Sequence, residues 1–468
     1  MWRLDNFNKN IAVITENDRK ITYTELKNYC KELTDNIKSR CLVFNLCKNE
    51  IGSLIGYIGF LNAKIVPLML KADLEDALFK SLLNEYKPSY IWLPRKSADK
   101  YDFKKIYGNF NYVLLKTNFT EHYALYEELA LLLTTSGSTG SPKLVRQSYK
   151  NIESNTKSII EYLELNEKEK VITTLPMNYT YGLSVINTHL YVGASIFLTE
   201  KTLIQKEFWQ QIKNNNITSF GGVPYTYEML FKLRFFKMNF PSIRYLTQAG
   251  GKLSPELHKN FAKWAKDNNK KFIVMYGQTE ATARMSYLPA EKSLEKFGSI
   301  GIAIPCGKFK LIDSNGKKIT TPETIGELVY EGDNVTLGYA EKGSDLAKGD
   351  NFCGKLETGD MAKFDNDGFY YIVGRKKRFL KIYGNRVNLD ETENLIKTHF
   401  SDFECACSGI DDNMKIFITD VDYKEKVVDF IADKTGLNRT AFKVEYINEI
   451  PKNESGKILY KKLMEVKA

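Results

Sequence analysis

Several things are scarce in this chain, and each scarcity excludes something. There are seven cysteines (Cys30, Cys41, Cys47, Cys306, Cys353, Cys405 and Cys407), with no Cys-x-x-Cys pair among them. An odd count without a framework argues against a disulfide scaffold and for reduced thiols in a cytosol. Cys405 and Cys407 alternate like neighbours packed on one strand face. The four histidines (His122, His189, His258, His399) lack metal-ligand spacing, so a structural zinc is not expected. No Ser/His/Asp nucleophile set is visible. No basic block interrupts the chain either. Its net charge of +10 comes from 67 basic and 57 acidic residues, with lysines scattered throughout beside many asparagines. That distribution points away from nucleic acid, although a mildly basic surface favours anionic substrates. Met1–Asn10 has Arg3 but no apolar run behind it, so no secretory leader is expected, and the expected location is cytoplasmic. The only membrane-span suspect is residues 51–70, but Asn62, Lys64 and Pro67 interrupt it. It reads as a buried helix to about Ala63 followed by a core strand, so no stable membrane span is expected.

What is present is an α/β texture. A chain of 468 residues exceeds one ordinary core, so two or more domains are expected. Ile21–Tyr23 reads as a short strand, with Thr24 placed to cap the following helix. Strand-like runs recur at Tyr90–Leu93, Tyr112–Leu115, Val171–Leu175, Ser195–Leu198, Ile243–Thr247 and Phe272–Met275. Amphipathic segments such as Lys206–Asn214 and Pro255–Asn268 lie between several of them, a pattern that implies parallel sheets covered by helices. From about Gly326 the texture changes to short β-runs (Gly326–Tyr330, Met361–Phe364, Phe369–Val373), with a hairpin-type turn at Asn366-Asp367-Gly368. The last ninety or so residues form a charged α+β segment.

Residues 131–143 carry the strongest chemical signal. Three leucines end a buried strand. Thr134, Thr135, Ser136, Gly137, Ser138, Thr139, Gly140, Ser141 and Pro142 follow, and the run closes on Lys143. Small and hydroxylated residues of this kind can wrap N–H and O–H groups around an anion, with the lysine adding a point charge. Leu144 after the lysine excludes a Walker A loop. Further on, Tyr276-Gly277-Gln278-Thr279-Glu280 follows a strand, the position where open α/β sheets bind ligands. Thr279 suits a phosphate, and Glu280 suits Mg²⁺. Ala249-Gly250-Gly251 leaves room for a flat base to approach the backbone. Thr358-Gly359-Asp360 reads as an Asp in a Gly turn, and Gly374-Arg375-Lys376-Lys377 and Pro451-Lys452-Asn453-Glu454-Ser455-Gly456-Lys457 complete the set.

Taken in this order, these motifs resemble the adenylate-forming superfamily of acyl-CoA synthetases, peptide-synthetase adenylation domains and firefly-type luciferases. The resemblance spans nearly the whole chain. It implies a large domain of helix-covered sheets with a β-rich subdomain (1–374), a hinge (375–377) and a small mobile α+β lid (378–468). It also implies ATP and Mg²⁺, with CoA or phosphopantetheine as the acyl acceptor. The resemblance implies that the 135–143 loop and Thr279 hold phosphates, that Glu280 holds the metal, that Ala249–Gly251 lie against the adenine, and that Tyr276, Gly277 and Gln278 belong to the same nucleotide site. By the same resemblance, Asp360 accepts from the ribose hydroxyls, Arg375 reaches ribose or phosphate, and Lys457 bridges the carboxylate and the α-phosphate. Lys377 stands at the hinge, where the family often has Asp, and Gly384 lets a pantetheine arm pass.

The block Leu175–Leu183 matches the family's acyl pocket, with Tyr179, Tyr181 and Gly182 lining it beside Gly222. No Asp lies between Val171 and Thr199 to pair with an α-ammonium. A buried ammonium without a counter-charge is costly, so a carboxylic acid lacking a free α-amine is expected, such as a short or medium aliphatic or hydroxy acid. The function implied is an acid–thiol ligase acting on a small-molecule carboxylic acid, with an acyl carrier protein as one candidate partner. Other readings stay open: an amino-acid-activating ligase that loads a carrier protein, a luciferase-like oxygenase, or a non-catalytic member of the same fold.

Overall fold

A computed structural model describes every residue except 1, 3, 135–142, 384, 453–455, 457 and 466–468. The described residues pack as two compact units, Met1–Lys308 with Tyr330–Leu356, and Phe309–Val329 with Glu357–Ala468.

The first unit holds two large sheets. In the nine-stranded sheet, Ile11–Ile14, Ser195–Phe197, Lys170–Ile172, Ser219–Gly222, Tyr245–Gln248 and Lys271–Tyr276 run parallel. Antiparallel strands close its edges: Lys20–Thr22 on one side, Ser286–Tyr287 and Ile302–Ala303 on the other. In the eight-stranded sheet, Leu129–Thr134, Val66–Lys71, Leu42–Cys47 and Tyr90–Pro94 form the parallel centre. The helix Ile51–Asn62 explains the apolar run that preceded the Val66–Lys71 strand. All residues from Ile51 to Leu61 are buried, in a core drawn from both sheets. Both of its hydroxyls are partnered: Ser53 Oγ bonds the Tyr112 hydroxyl at 2.6 Å, and the Tyr57 hydroxyl donates to Asn187 Oδ1 at 2.9 Å. Among the described residues no helix is long and apolar enough to cross a membrane.

The helices Lys206–Asn214 and Pro255–Asp267 occupy the segments expected of them. The first helix starts one residue before the expected cap. It spans Tyr23–Thr34, and Thr22 rather than Thr24 caps it. The hydroxyl of Thr22 accepts from the Glu25 N–H at 3.2 Å, and Glu25 accepts from the Thr22 N–H at 2.8 Å. Glu25 three residues after a threonine is the signature of this reciprocal box, and it outcompetes Thr24, whose hydroxyl donates to the Asn8 carbonyl.

In the second unit, a five-stranded sheet (Lys318–Ile319, Lys308–Ile312, Gly326–Glu331, Lys355–Phe364, Tyr370–Arg375) draws nearly all its residues from Phe309–Val329 and Glu357–Arg375. The turn at Asn366–Gly368 joins its last two strands. Asp365 Oδ1 accepts the N–H groups of Asp367 and Phe369, and Gly368 takes φ of 82°. Beyond it, strands Cys405–Ile410, Asn413–Ile418 and Phe442–Tyr446 pack with helices Leu389–His399 and Lys424–Thr435 around a separate core that includes Cys405 and Cys407.

Replacing Thr22 with Ala is expected to cost about 1 kcal/mol of stability, and Thr24→Ala about half a kcal/mol or less, read as shifts in the urea midpoint. Equal costs would contradict the capping assignment.

Candidate functional site

The turn after the Lys271–Tyr276 strand folds back tightly on itself. The Met285 N–H donates to the Tyr276 carbonyl at 2.9 Å and opens the antiparallel return strand. Between them, Thr279–Ala281 form one 3₁₀ turn, and Thr282 and Ala283 both take positive φ, 54° and 112°. Gly277 is required by space, because a Cβ there would strike the Ala283 carbonyl oxygen. The turn thus sets Tyr276, Gln278, Thr279 and Glu280 side by side, all half-buried, at the carboxyl end of a parallel strand. Gln278 Nε2 donates to the Tyr276 hydroxyl at 3.3 Å, and the Glu280 carbonyl accepts the Thr336 N–H at 3.0 Å.

Lys143 and Glu280 lie far apart in sequence and meet on one ring. The Tyr339 hydroxyl donates to Glu280 Oε1 at 2.8 Å, and Lys143 Nζ stands 3.5 Å from the centroid of the same ring. Burial, and then the Glu280 carboxylate, push the Tyr339 phenol up, so it stays neutral and donates. Lys143 also lies 3.5 Å from the exposed Glu341 carboxylate. Arg146 holds Tyr339 in place. Its side chain is fully buried and donates to the carbonyls of Leu337 (2.7 Å), Tyr339 (3.1 Å) and Gly349 (3.1 Å), and also to that of Lys348. Burial pulls this guanidinium down, with Asp345 and Asp350 opposing. Thr135, Ser136, Gly137, Ser138, Thr139 and Gly140 lie outside the described residues, which resume at Lys143.

The expected base-binding segment follows the neighbouring strand Tyr245–Gln248. Ala249 is buried, Gly250 takes φ of 85°, and Gly251 is exposed. A Cβ on Gly250 would lie 2.6 Å from the Tyr179 hydroxyl, so the close approach there needs glycine on both counts. Gln248 Nε2 bonds the Gly251 carbonyl at 2.9 Å, while its buried Oε1 has no protein partner among the described residues.

Tyr179 precedes the helix Thr180–Tyr191, and Tyr181 and Gly182 form its first turn, with Gly182 against the Pro176 carbonyl. Gly222 ends the strand Ser219–Gly222. The Tyr181 and Tyr227 hydroxyls both donate to the Thr247 carbonyl, at 2.9 and 2.7 Å, which ties this helix to the strand ends. Burial pushes the Tyr181 phenol up to about 12. Behind these groups runs a narrow cavity of about 330 Å³ whose lining includes Tyr181, Gly221, Thr247, His189 and Arg284. Burial lowers His189 to about 4, so its ring is neutral there. Arg284 is only 3% exposed, and its guanidinium lies 3.8 Å from the centroid of the Tyr181 ring.

In the second unit, Asp360 is not in a turn. It lies within the strand Lys355–Phe364, directly across from Arg375, because the Thr358 hydroxyl bonds the Leu328 carbonyl at 2.7 Å and keeps the segment in the ladder. Gly359 with φ of 69° supplies the local kink. Arg375 Nε reaches Asp360 Oδ1 at 2.7 Å, and Asp360 is buried while Arg375 is exposed. Lys377 is exposed in the one-turn helix Lys376–Arg378. Gly384 and Lys457 lie outside the described residues.

Three residues of this arrangement carried no sequence mark as functional: Tyr339, Arg146 and Arg284 each sit within ordinary strand or loop text. Only their burial in three dimensions singles them out.

The profile of the AMP-binding enzyme family matches residues 2–340, and this chain belongs to that family. Its sequence is 28% identical over 355 residues to the oxalate–CoA ligase of Saccharomyces cerevisiae, covering 72% of this chain and 63% of the yeast protein. It is 27% identical over 347 residues to the 2-succinylbenzoate–CoA ligase of Bacillus licheniformis, covering 72% and 70% of the two chains. Against the long-chain-fatty-acid–CoA ligase of Escherichia coli O157:H7 the identity is 29% over 355 residues, covering 72% and 61%. The match thus covers less than two thirds of the yeast and Escherichia coli relatives. The fold is that of O-succinylbenzoate coenzyme A synthetase from Bacillus subtilis in complex with AMP, with a TM-score of 0.79 at 21% identity over 98% of this chain and 96% of that one. ATP-bound MatB from Rhodopseudomonas palustris gives 0.78 at 20% identity, over 99% and 97%.

Two measurements check the packing of the site. Arg146→Met removes at once the hydrogen bonds that tie the carbonyls of Leu337, Tyr339, Lys348 and Gly349 to one side chain, and is expected to cost about 3 kcal/mol or more, read by urea unfolding. His189 and His258 are both lowered by burial from 6.5 to about 4. Their folded values lie below the unfolded one, so the stability they carry is intact above about pH 6.5 and is lost as pH falls toward about 4. The expected loss is roughly 3 kcal/mol per ring, and His189→Gln should flatten that slope.

Proposed function

We propose that this chain is an ATP-dependent acid–thiol ligase. It activates a carboxylic acid as an acyl-adenylate and passes the acyl group to the thiol of CoA, or to the pantetheine of a carrier protein. The observation that carries this reading is the pairing of Lys143 and Glu280 on the Tyr339 ring, at the end of the 135–142 loop and beside the strand-end turn. Membership of the AMP-binding family supports it, as do relatives named as CoA ligases and solved structures of the fold titled as complexes with AMP and with ATP and magnesium.

In the first half-reaction, a substrate carboxylate oxygen forms a bond to the α-phosphorus of ATP. The bridging bond to the β-phosphate breaks, and pyrophosphate leaves with the electron pair. The substrate is its own nucleophile, so the protein must neutralise charge and hold an in-line geometry. Lys143 supplies fixed positive charge beside the phosphate loop, and Thr279 offers a hydroxyl. Asp360 and Arg375 are assigned to the ribose, and Ala249–Gly251 with Tyr276–Gln278 to the adenine. Mg²⁺ fits Glu280, because it prefers one or two carboxylates with phosphate oxygens. Bound there, it would offset phosphate charge. Lys457 is assigned to the carboxylate and the α-phosphate. In the second half-reaction, a thiolate sulfur bonds the acyl carbon and AMP leaves with the oxygen. Residues from 378 onward are assigned to a lid turning about Lys377, which exchanges Lys457 for the loop at Gly384.

An amino acid is disfavoured as substrate. The residues around Tyr181 offer its ammonium no carboxylate, and the charged side chain lining their cavity is the cation Arg284.

ATP–pyrophosphate exchange across a panel of organic acids tests the reading. Exchange with an acid is expected, and Lys457→Ala should lower it about 100-fold or more while ATP still binds. Asp360→Asn should raise the KM for ATP about tenfold or more, with a smaller change in kcat. ATP binding without exchange for any acid would point instead to a non-catalytic member of the fold.

A further inference from the structure

Arg284 is a buried cation without an anion. It is 3% exposed, yet it forms no ion pair with any described residue. Its side-chain hydrogen bonds are a thioether contact from Nε to Met275 Sδ at 3.4 Å and a bond to the Ala283 carbonyl at the long distance of 3.5 Å, and the Tyr162 hydroxyl, which donates to the same Met275 sulfur, stands nearby. The face of Tyr181, 3.8 Å away, supplies the rest of its stabilisation. Arg146 makes the contrast plain, because its equally buried guanidinium is enclosed by carbonyl acceptors. A guanidinium carries five N–H donors in a fixed fork that matches a carboxylate bidentately, and burying it without a counter-charge is costly.

The charge also stands in a telling place. Arg284 lines the narrow cavity behind Tyr181, where the face of the strands Ser219–Gly222, Tyr245–Gln248 and Lys271–Tyr276 meets the helices Tyr149–Leu163 and Thr180–Tyr191. The other lining groups are apolar side chains, hydroxyls and His189, so Arg284 is the only residue there with a permanent charge. The cavity is narrow, so what enters beside Arg284 must be slim.

We propose that Arg284 is a specificity residue that anchors a second anionic group of the substrate, and that the acid taken by this site is a short dicarboxylic acid. The inference rests on the ligase reading, in which the first carboxylate is the one adenylated. The distal carboxylate would sit on the Arg284 fork, near the Tyr162 hydroxyl. An apolar chain end would leave the guanidinium buried and unpaired. The site therefore selects against monocarboxylic acids of the same length, as sites built to hydrogen-bond a polar group reject analogues that lack it.

The test uses the full chain and two readouts. The first is binding, measured as the rise in Tm and by calorimetry in the presence of a non-hydrolysable ATP analogue. Succinate and glutarate are compared with butyrate and pentanoate, for wild type, Arg284→Met and Arg284→Lys. The second is pyrophosphate exchange with the same acids. The expected result is that the dicarboxylates bind wild type at least about tenfold more tightly than the matched monoacids. Arg284→Met should abolish that preference and leave monoacid binding equal or improved, while Arg284→Lys should keep part of it. If Arg284→Met fails to fold, the wild-type preference and the Arg284→Lys variant still decide. Equal binding of both acid types, no binding of any dicarboxylate, or a uniform loss in the variants would overturn the proposal and leave Arg284 as a packing group. Arg284-dependent dicarboxylate binding without exchange would instead overturn the ligase reading alone.

Discussion

The arrangement of the candidate site depends on one buried cation. Arg146 projects from the strand Leu144–Ser148, immediately after the loop of small residues, and gathers carbonyls from the 337–349 segment. Those carbonyls supply the acceptors that a fully buried guanidinium needs, so the guanidinium and the segment stabilise each other. Tyr339 is held within that cage. Its ring faces Lys143 and its hydroxyl faces Glu280, so a single structural arginine sets the spacing between a candidate phosphate-binding lysine and a candidate metal-binding carboxylate.

Charge elsewhere in the protein follows the same logic, with one departure. The half-buried Arg378 bonds Asp390 at 2.5 Å and the buried Glu393 at 2.6 Å, and the buried Asp360 meets Arg375. Each buried carboxylate has a matched partner. Arg284 is buried with a ring, a thioether and a phenol around it and no carboxylate. Structural ion pairs and cages close on themselves. A cation left with unused donors, in a cavity between the sheet face and its covering helices, has the form of a ligand subsite.

Much of this was legible in the chain itself. Periodicity and punctuation located the helix–strand unit from Ile51 to Lys71, the helix at Lys206 and the hairpin turn at Asn366–Gly368 within a residue or two. Each depends on local backbone chemistry, such as the fixed φ of Pro67 or the positive φ of Gly368. The signal failed where two local candidates competed. Thr22 displaced Thr24 as the cap because Glu25 completes a box only with Thr22. Asp360 looked like a turn former because glycine and aspartate together usually are, but a cross-strand partner and the Thr358 hydroxyl kept it in a ladder.

The sequence by itself determined the family and the order of the motifs, because phosphate loops, glycine turns and terminal lysines need particular residues at particular offsets along one backbone. It also determined the alternation of helices and strands that builds the parallel sheets. The tertiary structure alone decided that Lys143, Tyr339 and Glu280 meet, that Arg146 is a brace, and that Arg284 is an unpaired charge in a cavity. Burial and partnership are properties of residues distant in the chain, and no local pattern records which buried arginine finds its acceptors and which does not.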